Sequence, residues 1–174
     1  MAKSIRIDKE LMFMVRDLNR LARKIIEGNQ YLTIASVGGN SPWISPVVYC
    51  FDKDWNLYFV SMPTSEHCKN ISKNKKVAVA IFDSQQLWGE GVGLQIEATA
   101  EVLGLQNSLK IAKTFGLRRY PFGGINTKVA MDFIKSMVFD GKKYKIYKIT
   151  PRFVWMNDPN SRLDVRVKID LNKK

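Results

Sequence analysis

The chain has 174 residues, 45% of them hydrophobic and 25% charged, a balance that suits one folded domain and excludes a disordered or low-complexity chain. Its 28 Lys and Arg against 16 Asp and Glu give a formal charge of +12, which leaves two accounts open: a solvated, lysine-rich surface, or attraction for an anion such as a phosphate-bearing small molecule or a nucleic acid. A single histidine, His67, and two isolated cysteines, Cys50 and Cys68, exclude a centre built on several imidazoles, a paired-cysteine zinc or redox motif, and any serine–histidine–aspartate triad without His67.

Residues 8–27 place Leu11, Met14, Val15, Leu18, Leu21, Ala22, Ile25 and Ile26 at helical spacing, with Asp8 to cap the start and Gly28-Asn29 to stop it. The period then shortens. Residues 31–37 are rich in β-formers and end at the turn signal Gly38-Gly39-Asn40-Ser41-Pro42. Residues 43–51 resume as strand with Val47, Tyr49 and Phe51 on one side, and Asp52-Lys53-Asp54 turns the chain into a strand over 57–62. Tight turns of this kind imply antiparallel pairing. Thr64-Ser65-Glu66 has the composition of an N-cap and first turn, so a short helix is expected to about residue 74.

Residues 77–83 are almost wholly apolar, which predicts a strand covered on both faces. The glycine-rich stretch 84–93 reads as a loop, in which Trp88 either anchors the connection or stacks on a flat ligand. Residues 92–103 alternate: Leu94, Ile96, Ala98, Ala100 and Val102 face one way, Gln95, Glu97, Thr99 and Glu101 the other. Helices are expected at 106–115 and 126–137 around a turn-rich 120–124, where Arg118 and Arg119 beside Tyr120 and Phe122 suit a packed helix end better than a nucleic-acid site. Strands over 144–149, 152–157 and 163–171 close the chain. The expectation is a mainly β fold with peripheral helices: a single domain over 1–174, with the N-terminal helix at 8–27 and an antiparallel barrel over about 30–171. No apolar run approaches the roughly 20 residues of a membrane span, and no apolar stretch of signal-peptide length follows Met1. A cytoplasmic protein without membrane contact is expected.

Chemistry concentrates between Ser61 and Lys69, where a strand hands over to a helix. The first N–H groups of a helix lack partners within it and carry the positive end of its dipole. Hydroxyls of Ser61, Thr64 and Ser65, with donors at His67 and Lys69, can complete a phosphate pocket there. Equally, Thr64 or Ser65 can simply cap the helix while the basic residues stay solvated.

Several segments together resemble the pyridoxamine 5'-phosphate oxidase-like family of FMN-binding split barrels. They are Tyr31-Leu32-Thr33-Ile34-Ala35, Pro42-Trp43, Ser45-Pro46-Val47, Leu57 to Ser61, Ser65-Glu66-His67, Asn70-Ile71, Asn74, Val77 to Ile81 and Gln95 to Glu101. The resemblance covers roughly residues 28–103. It implies an antiparallel split β-barrel that binds FMN at a homodimer interface. It also implies that Ser45, Pro46, Val47 and Val48 lie along the flavin ring, largely through backbone, and that Val60, Ser61, Ser65 and His67 hold the phosphate. Gln95 is carried over as a cofactor contact. Where the family usually has Arg and Lys, this chain has Glu66 and His67; Glu66 is expected to point away and Lys69 to supply charge. Trp155, Arg162 and Arg166 resemble a closing motif with one residue of extra spacing. By that resemblance Trp155 and Arg166 reach the flavin from the partner subunit and Arg162 faces the substrate. On the residues alone, Trp155 suits a core aromatic and Arg166 a wet strand face just as well.

The function expected is that of a flavin-dependent oxidoreductase acting on an unidentified small molecule. A strict vitamin B6 oxidase is not expected, because the family's substrate-phosphate residues are not found over 109–126. Two alternatives stand beside it: a haem-binding split barrel using His67, and a basic nucleic-acid-binding barrel without catalysis, the latter not expected as a partner class.

Overall fold

A computed structural model of the chain describes residues 17–118, 128, 144–161 and 164–173. Helix α1 (Leu18–Gly28) is capped by Asp17, whose carboxylate accepts from the Arg20 N–H at 3.0 Å. It buries Ala22, Ile25 and Ile26. The helix start expected at Asp8 lies outside the described residues. Strands β1 (Tyr31–Gly38) and β2 (Ser41–Phe51) form a hairpin whose Gly39 takes φ 59°, a left-handed conformation that costs glycine little. Then come β3 (Leu57–Ser61), α2 (Glu66–Lys73), β4 (Lys76–Phe82), β5 (Gly93–Val102), α3 (Leu105–Leu117), β6 (Lys145–Asn157) and β7 (Arg166–Ile169). All pairings are antiparallel, in the order β3-β2-β1-β4-β5-β6-β7, and a further β3–β6 pairing closes six strands into a barrel. The fold is a split β-barrel.

Alternation fills the interior. Leu32 and Ile34, Val47 and Tyr49, Leu57 and Phe59, Val77, Val79 and Ile81, and Leu94, Ile96, Ala98 and Ala100 point inward and pack with Ala22 and Ile26 of α1. A second, outer cluster sets Ala112 and Phe115 of α3 against Cys50, Tyr58 and Ile146. One expectation needs correction: β4 is covered on one face only, with Ala78 and Phe82 exposed. Small alanines made the run look two-sided, but antiparallel neighbours turn just one side of it to the core.

The two strands expected over 144–157 are one, β6. Its first half, Lys145 to Ile149, pairs with β3, and its second half, Val154 to Asn157, pairs with β7. Arg152 is an extra residue between Pro151, opposite Ala98, and Phe153, opposite Glu97. Proline is tolerated at such a bulge, and the bend lets one strand serve two partners. Of the last strand, expected over 163–171, the described residues 164–171 form strand only in β7, and Leu163 lies outside them. The helix expected over 126–137 and the stretch 120–124 lie outside the described residues, apart from Lys128.

Two contacts lock the frame around the site. Gly38 has no Cβ, and one built there would meet Asn70 Oδ1 at 2.0 Å, so glycine lets α2 lie against β1; Asn70 then donates to buried Ser36 at 3.2 Å. The Arg118 guanidinium, at the end of α3, donates to the carbonyls of Tyr49, Ile26 and Asn29, the last two at 3.2 and 2.6 Å. It also lies 4.4 Å above the Tyr49 ring. Arg118 is thus packed at its helix end; Arg119, Tyr120 and Phe122 lie outside the described residues. Among the described residues no helix is long and apolar enough to cross a membrane.

Candidate functional site

The site begins where two neighbouring strands part. β2 has 11 residues and β3 only 5, and β2 meets β3 only at Tyr49, Cys50 and Phe51. Tyr49 N–H donates to Gln30 O, so the odd-numbered residues of β2 turn their backbone groups toward β1. By alternation the backbone of Ile44, Pro46 and Val48 faces the open edge. Pro46 sits where proline is permitted, on an edge that no strand uses. The result is a strip of main-chain groups beside the gap into which β3 and α2 diverge.

Four side chains bridge that gap. Ser45 Oγ on β2 is 3.0 Å from His67 Nδ1 on α2, and His67 Nε2 is 2.9 Å from Ser61 Oγ at the end of β3 and 3.3 Å from Ser65 Oγ. Ser61 and Ser65 are 3.1 Å apart. Trp43 Nε1 donates to Ser45 Oγ at 3.1 Å, and Ser65 donates to the Met62 carbonyl at 2.7 Å. The Met62 end fixes the direction of the bonds as far as His67. A carbonyl only accepts, so the Ser65 proton is committed to Met62; Ser61 must then donate to Ser65, and His67 Nε2 must carry its hydrogen. In a neutral ring Nδ1 therefore accepts from Ser45, which in turn accepts from the Trp43 indole.

Electrostatics agree with a neutral ring. His67 is 8% exposed, tilted against Phe59 at 5.7 Å between centroids. Burial holds its pKa below the usual histidine value. The start of α2 is equally receptive: Ser65 occupies the N-cap but makes no side-chain cap bond, so the orphan N–H groups of the first turn keep no side-chain acceptor. Glu66 turns outward to Lys69 at 3.6 Å, both half-exposed. Lys69 thus stands apart from the cluster. A different lysine stands beside it: Lys145 is directly opposite Ser61 in the β3–β6 pairing and so projects from the same face.

The remaining expected residues form a second group. Gln95 faces Trp155 across β5 and β6, and Arg166 on β7 donates from Nε to Gln95 Oε1 at 2.8 Å and pairs with Asp164 at 3.1 Å. These lie on the outer face of the sheet, whereas Ser45 and His67 face the barrel end. Within one chain the two groups do not meet. Between them that outer face is apolar: a shallow concavity of about 370 Å³ is floored by Thr33, Ala35, Ala78 and Ala80 and walled by Ile44 and Trp155. Ile44 is 64% exposed, Tyr31 55% and Phe82 53%. Val48 and Val60 are half-buried against the α3 cluster and can offer a ligand chiefly backbone; Val47 is a core residue whose backbone turns to β1, so the structure does not place it at the open edge. Trp88 is fully exposed and anchors nothing in this chain, which corrects the reading of that loop as an anchored connection. Arg162 lies outside the described residues.

Two residues escaped the sequence reading. Trp43 was noted only as part of a similar segment, and no spacing rule ties it to a histidine 24 positions on. Lys145 belongs to a small basic cluster, but only strand register places it next to Ser61.

A family-wide sequence pattern described as pyridoxamine 5'-phosphate oxidase matches residues 18–121. Among solved structures, the chain is similar to a putative pyridoxamine 5'-phosphate oxidase from Listeria innocua, with 18% identity, TM-score 0.58, and 82% of this chain and 99% of that one covered. It is also similar to an FAD-binding protein from Mesorhizobium loti (16% identity, TM-score 0.59, 79% and 91% covered). A third likeness is to the heme storage protein HutZ from Vibrio cholerae (12% identity, TM-score 0.54, 78% and 91% covered). At these identities the structural likenesses establish the fold. Among curated proteins none matches.

Proposed function

The chain belongs to the pyridoxamine 5'-phosphate oxidase family, and on that premise we propose that it is an FMN-dependent oxidoreductase acting on a small molecule. The observation that carries the proposal is the parting of β2 from β3. It leaves a strip of strand backbone that ends on hydroxyl and imidazole donors at an uncapped helix start. This donor set fits a flavin phosphate: Ser61, Ser65 and His67 Nε2 now donate within the cluster or to Met62, and all three can turn to an anion. In this reading Lys145 adds the positive charge, since Lys69 is drawn away to Glu66. Pro46 and Val48 would meet the ring through main-chain groups, whereas Ser45 and Val47, expected there from the resemblance, turn their backbone to β1. When bound, FMN supplies the redox chemistry; the chain's residues bind, orient and shield it.

The exposed outer face is proposed to be covered by a second copy, making a homodimer. A contiguous patch around Tyr31, Ile44 and Phe82 is larger than isolated surface hydrophobes require. Gln95, Trp155 and Arg166 border that face, so a partner could bring them to the flavin that one chain's cluster holds. The haem alternative fits less well: an iron ligand must present a ring lone pair, and His67 spends Nε2–H on Ser61 and Nδ1 on Ser45. Of the basic stretch that suggested the nucleic-acid alternative, Arg118 is tied to carbonyls.

Purified protein tests this directly. Stoichiometric FMN, released on denaturation and rebound with quenching of its fluorescence, is the expected result. A haem Soret band instead, or no flavin uptake together with salt-sensitive duplex binding, would overturn the proposal.

A further inference from the structure

We infer that Ser45 is a positioning residue: its hydroxyl donates to Nδ1 of the His67 ring and so favours the tautomer whose Nε2–H faces the anion seat. The inference rests on the reading of Ser61, Ser65 and His67 as that seat. Its own basis is the directed chain of hydrogen bonds that begins at an indole and ends at a carbonyl. The Met62 carbonyl can only accept, which sets the direction of each bond back to Nε2, and the Trp43 indole takes one acceptor site of Ser45 while leaving its proton for Nδ1. A neutral imidazole between them satisfies each bond in one way only, with hydrogen on Nε2 and a lone pair on Nδ1. The opposite tautomer would leave Ser45 without an acceptor at Nδ1 and would turn a lone pair, instead of a donor, toward any phosphate oxygen beside Ser61.

The arrangement matters more here than it would for a lysine or arginine. Those side chains donate in every state, whereas a neutral histidine donates from one nitrogen and repels an anion from the other. Ser45 comes from β2, which carries the open edge, and His67 from α2, so their 3.0 Å contact also ties the backbone strip to the anion seat. Trp43, 48% exposed, spends its one polar atom on this bond.

A sole histidine makes the test clean, because ring-labelled full-length protein gives one imidazole spectrum. Nitrogen-15 shifts of the flavin-free protein near neutral pH should report the Nε2–H tautomer. Ser45→Ala removes the donor to Nδ1 and should let the Nδ1–H form appear as a minor species beside the Nε2–H form, with FMN binding weakened by about three- to tenfold, the range of one hydrogen bond. Ser45→Thr, which keeps the hydroxyl on a β-compatible residue, should restore both. Should Ser45→Ala fail to fold, Ser45→Cys, a weaker donor, is read in the same spectrum, where a smaller shift toward the Nδ1–H form is expected.

A wild-type ring with its hydrogen on Nδ1 would overturn the inference. So would a Ser45→Ala ring that stays purely Nε2–H with affinity unchanged. If FMN binds yet leaves the wild-type imidazole signals unmoved, the seat itself is wrong. Movement of those signals without any dependence on Ser45 refutes the positioning role alone.

Discussion

Replacing Lys145 with alanine should weaken FMN binding, and replacing Lys69 should not. Facing residues in an antiparallel ladder have Cα atoms about 4.5–5.5 Å apart, so Lys145 starts one strand spacing from Ser61 and on its face. At a separation of about 4 Å and an effective dielectric constant near 20, a pair of unit charges gains about 4 kcal/mol before other costs. Lys145 is exposed, and ordering its chain together with salt screening brings such a contact down to about 1 kcal/mol. That corresponds to about a fivefold loss in affinity at low ionic strength. The loss should shrink as salt shortens the Debye length, because an exposed charge is the part of the site that salt reaches. Lys69 already answers Glu66 on the far side of α2, and its removal should change Kd by less than about twofold. The assay is quenching of flavin fluorescence on titration with apo protein, at low and at moderate salt. Equal losses for the two variants, or a larger loss for Lys69→Ala, would refute the assignment of charge to β6.

Arg118→Met should lower the stability to urea by about 2–4 kcal/mol, since it takes the guanidinium donor from the carbonyls of Asn29 and Tyr49 and leaves that of Ile26 with the Tyr49 hydroxyl; Arg118→Lys should not restore it, because one amine cannot reach the carbonyls that a planar fork serves. Because burial lowers the pKa of His67 in the folded chain, the unfolded chain binds its proton more readily, and stability should rise as pH climbs through the lowered folded value toward the ordinary histidine value and then level off. Denaturant midpoints across that window should lose the slope in His67→Gln, and an unchanged slope would exclude His67 as its source. Ile44→Lys on the open outer face should convert a dimer to a folded monomer in sedimentation at micromolar concentration; a wild-type monomer would remove the proposed interface.

What could be read from the residues depended on how local each feature was. The strands of the hairpin around Gly39, the helix start at Ser65 and the inward set of β5 are encoded within a few positions, through turn chemistry and period-two alternation. The cluster was partly readable for the same reason, as Ser61, Ser65 and His67 fall within seven positions. Ser45 entered through resemblance alone, and its bond to His67 spans 22 positions. Trp43 joins through Ser45, two positions on, and Lys145 only through strand register, which local sequence does not specify. The uncovered face of β4 was missed for a different reason. Ala78 and Ala80 are apolar by composition, yet their small side chains leave the face shallow enough to be a docking floor.

A histidine at position 67 suits this pocket for a reason that its resemblance to an Arg- and Lys-bearing family obscures. The side chain is almost fully enclosed, lies against Phe59, and finds only hydroxyls around its ring nitrogens. A guanidinium or ammonium there would bury a permanent charge with no carboxylate beside it whenever the seat was empty, a cost of several kcal/mol in typical proteins. Imidazole avoids that cost by staying neutral, and the serines satisfy one another meanwhile. A dianion arriving at Nε2–H favours the charged ring, and Ser45 can then turn from donor to acceptor at Nδ1 while still accepting from Trp43. The site would therefore acquire its charge along with its ligand, with Lys145 outside the enclosure as the permanent cation.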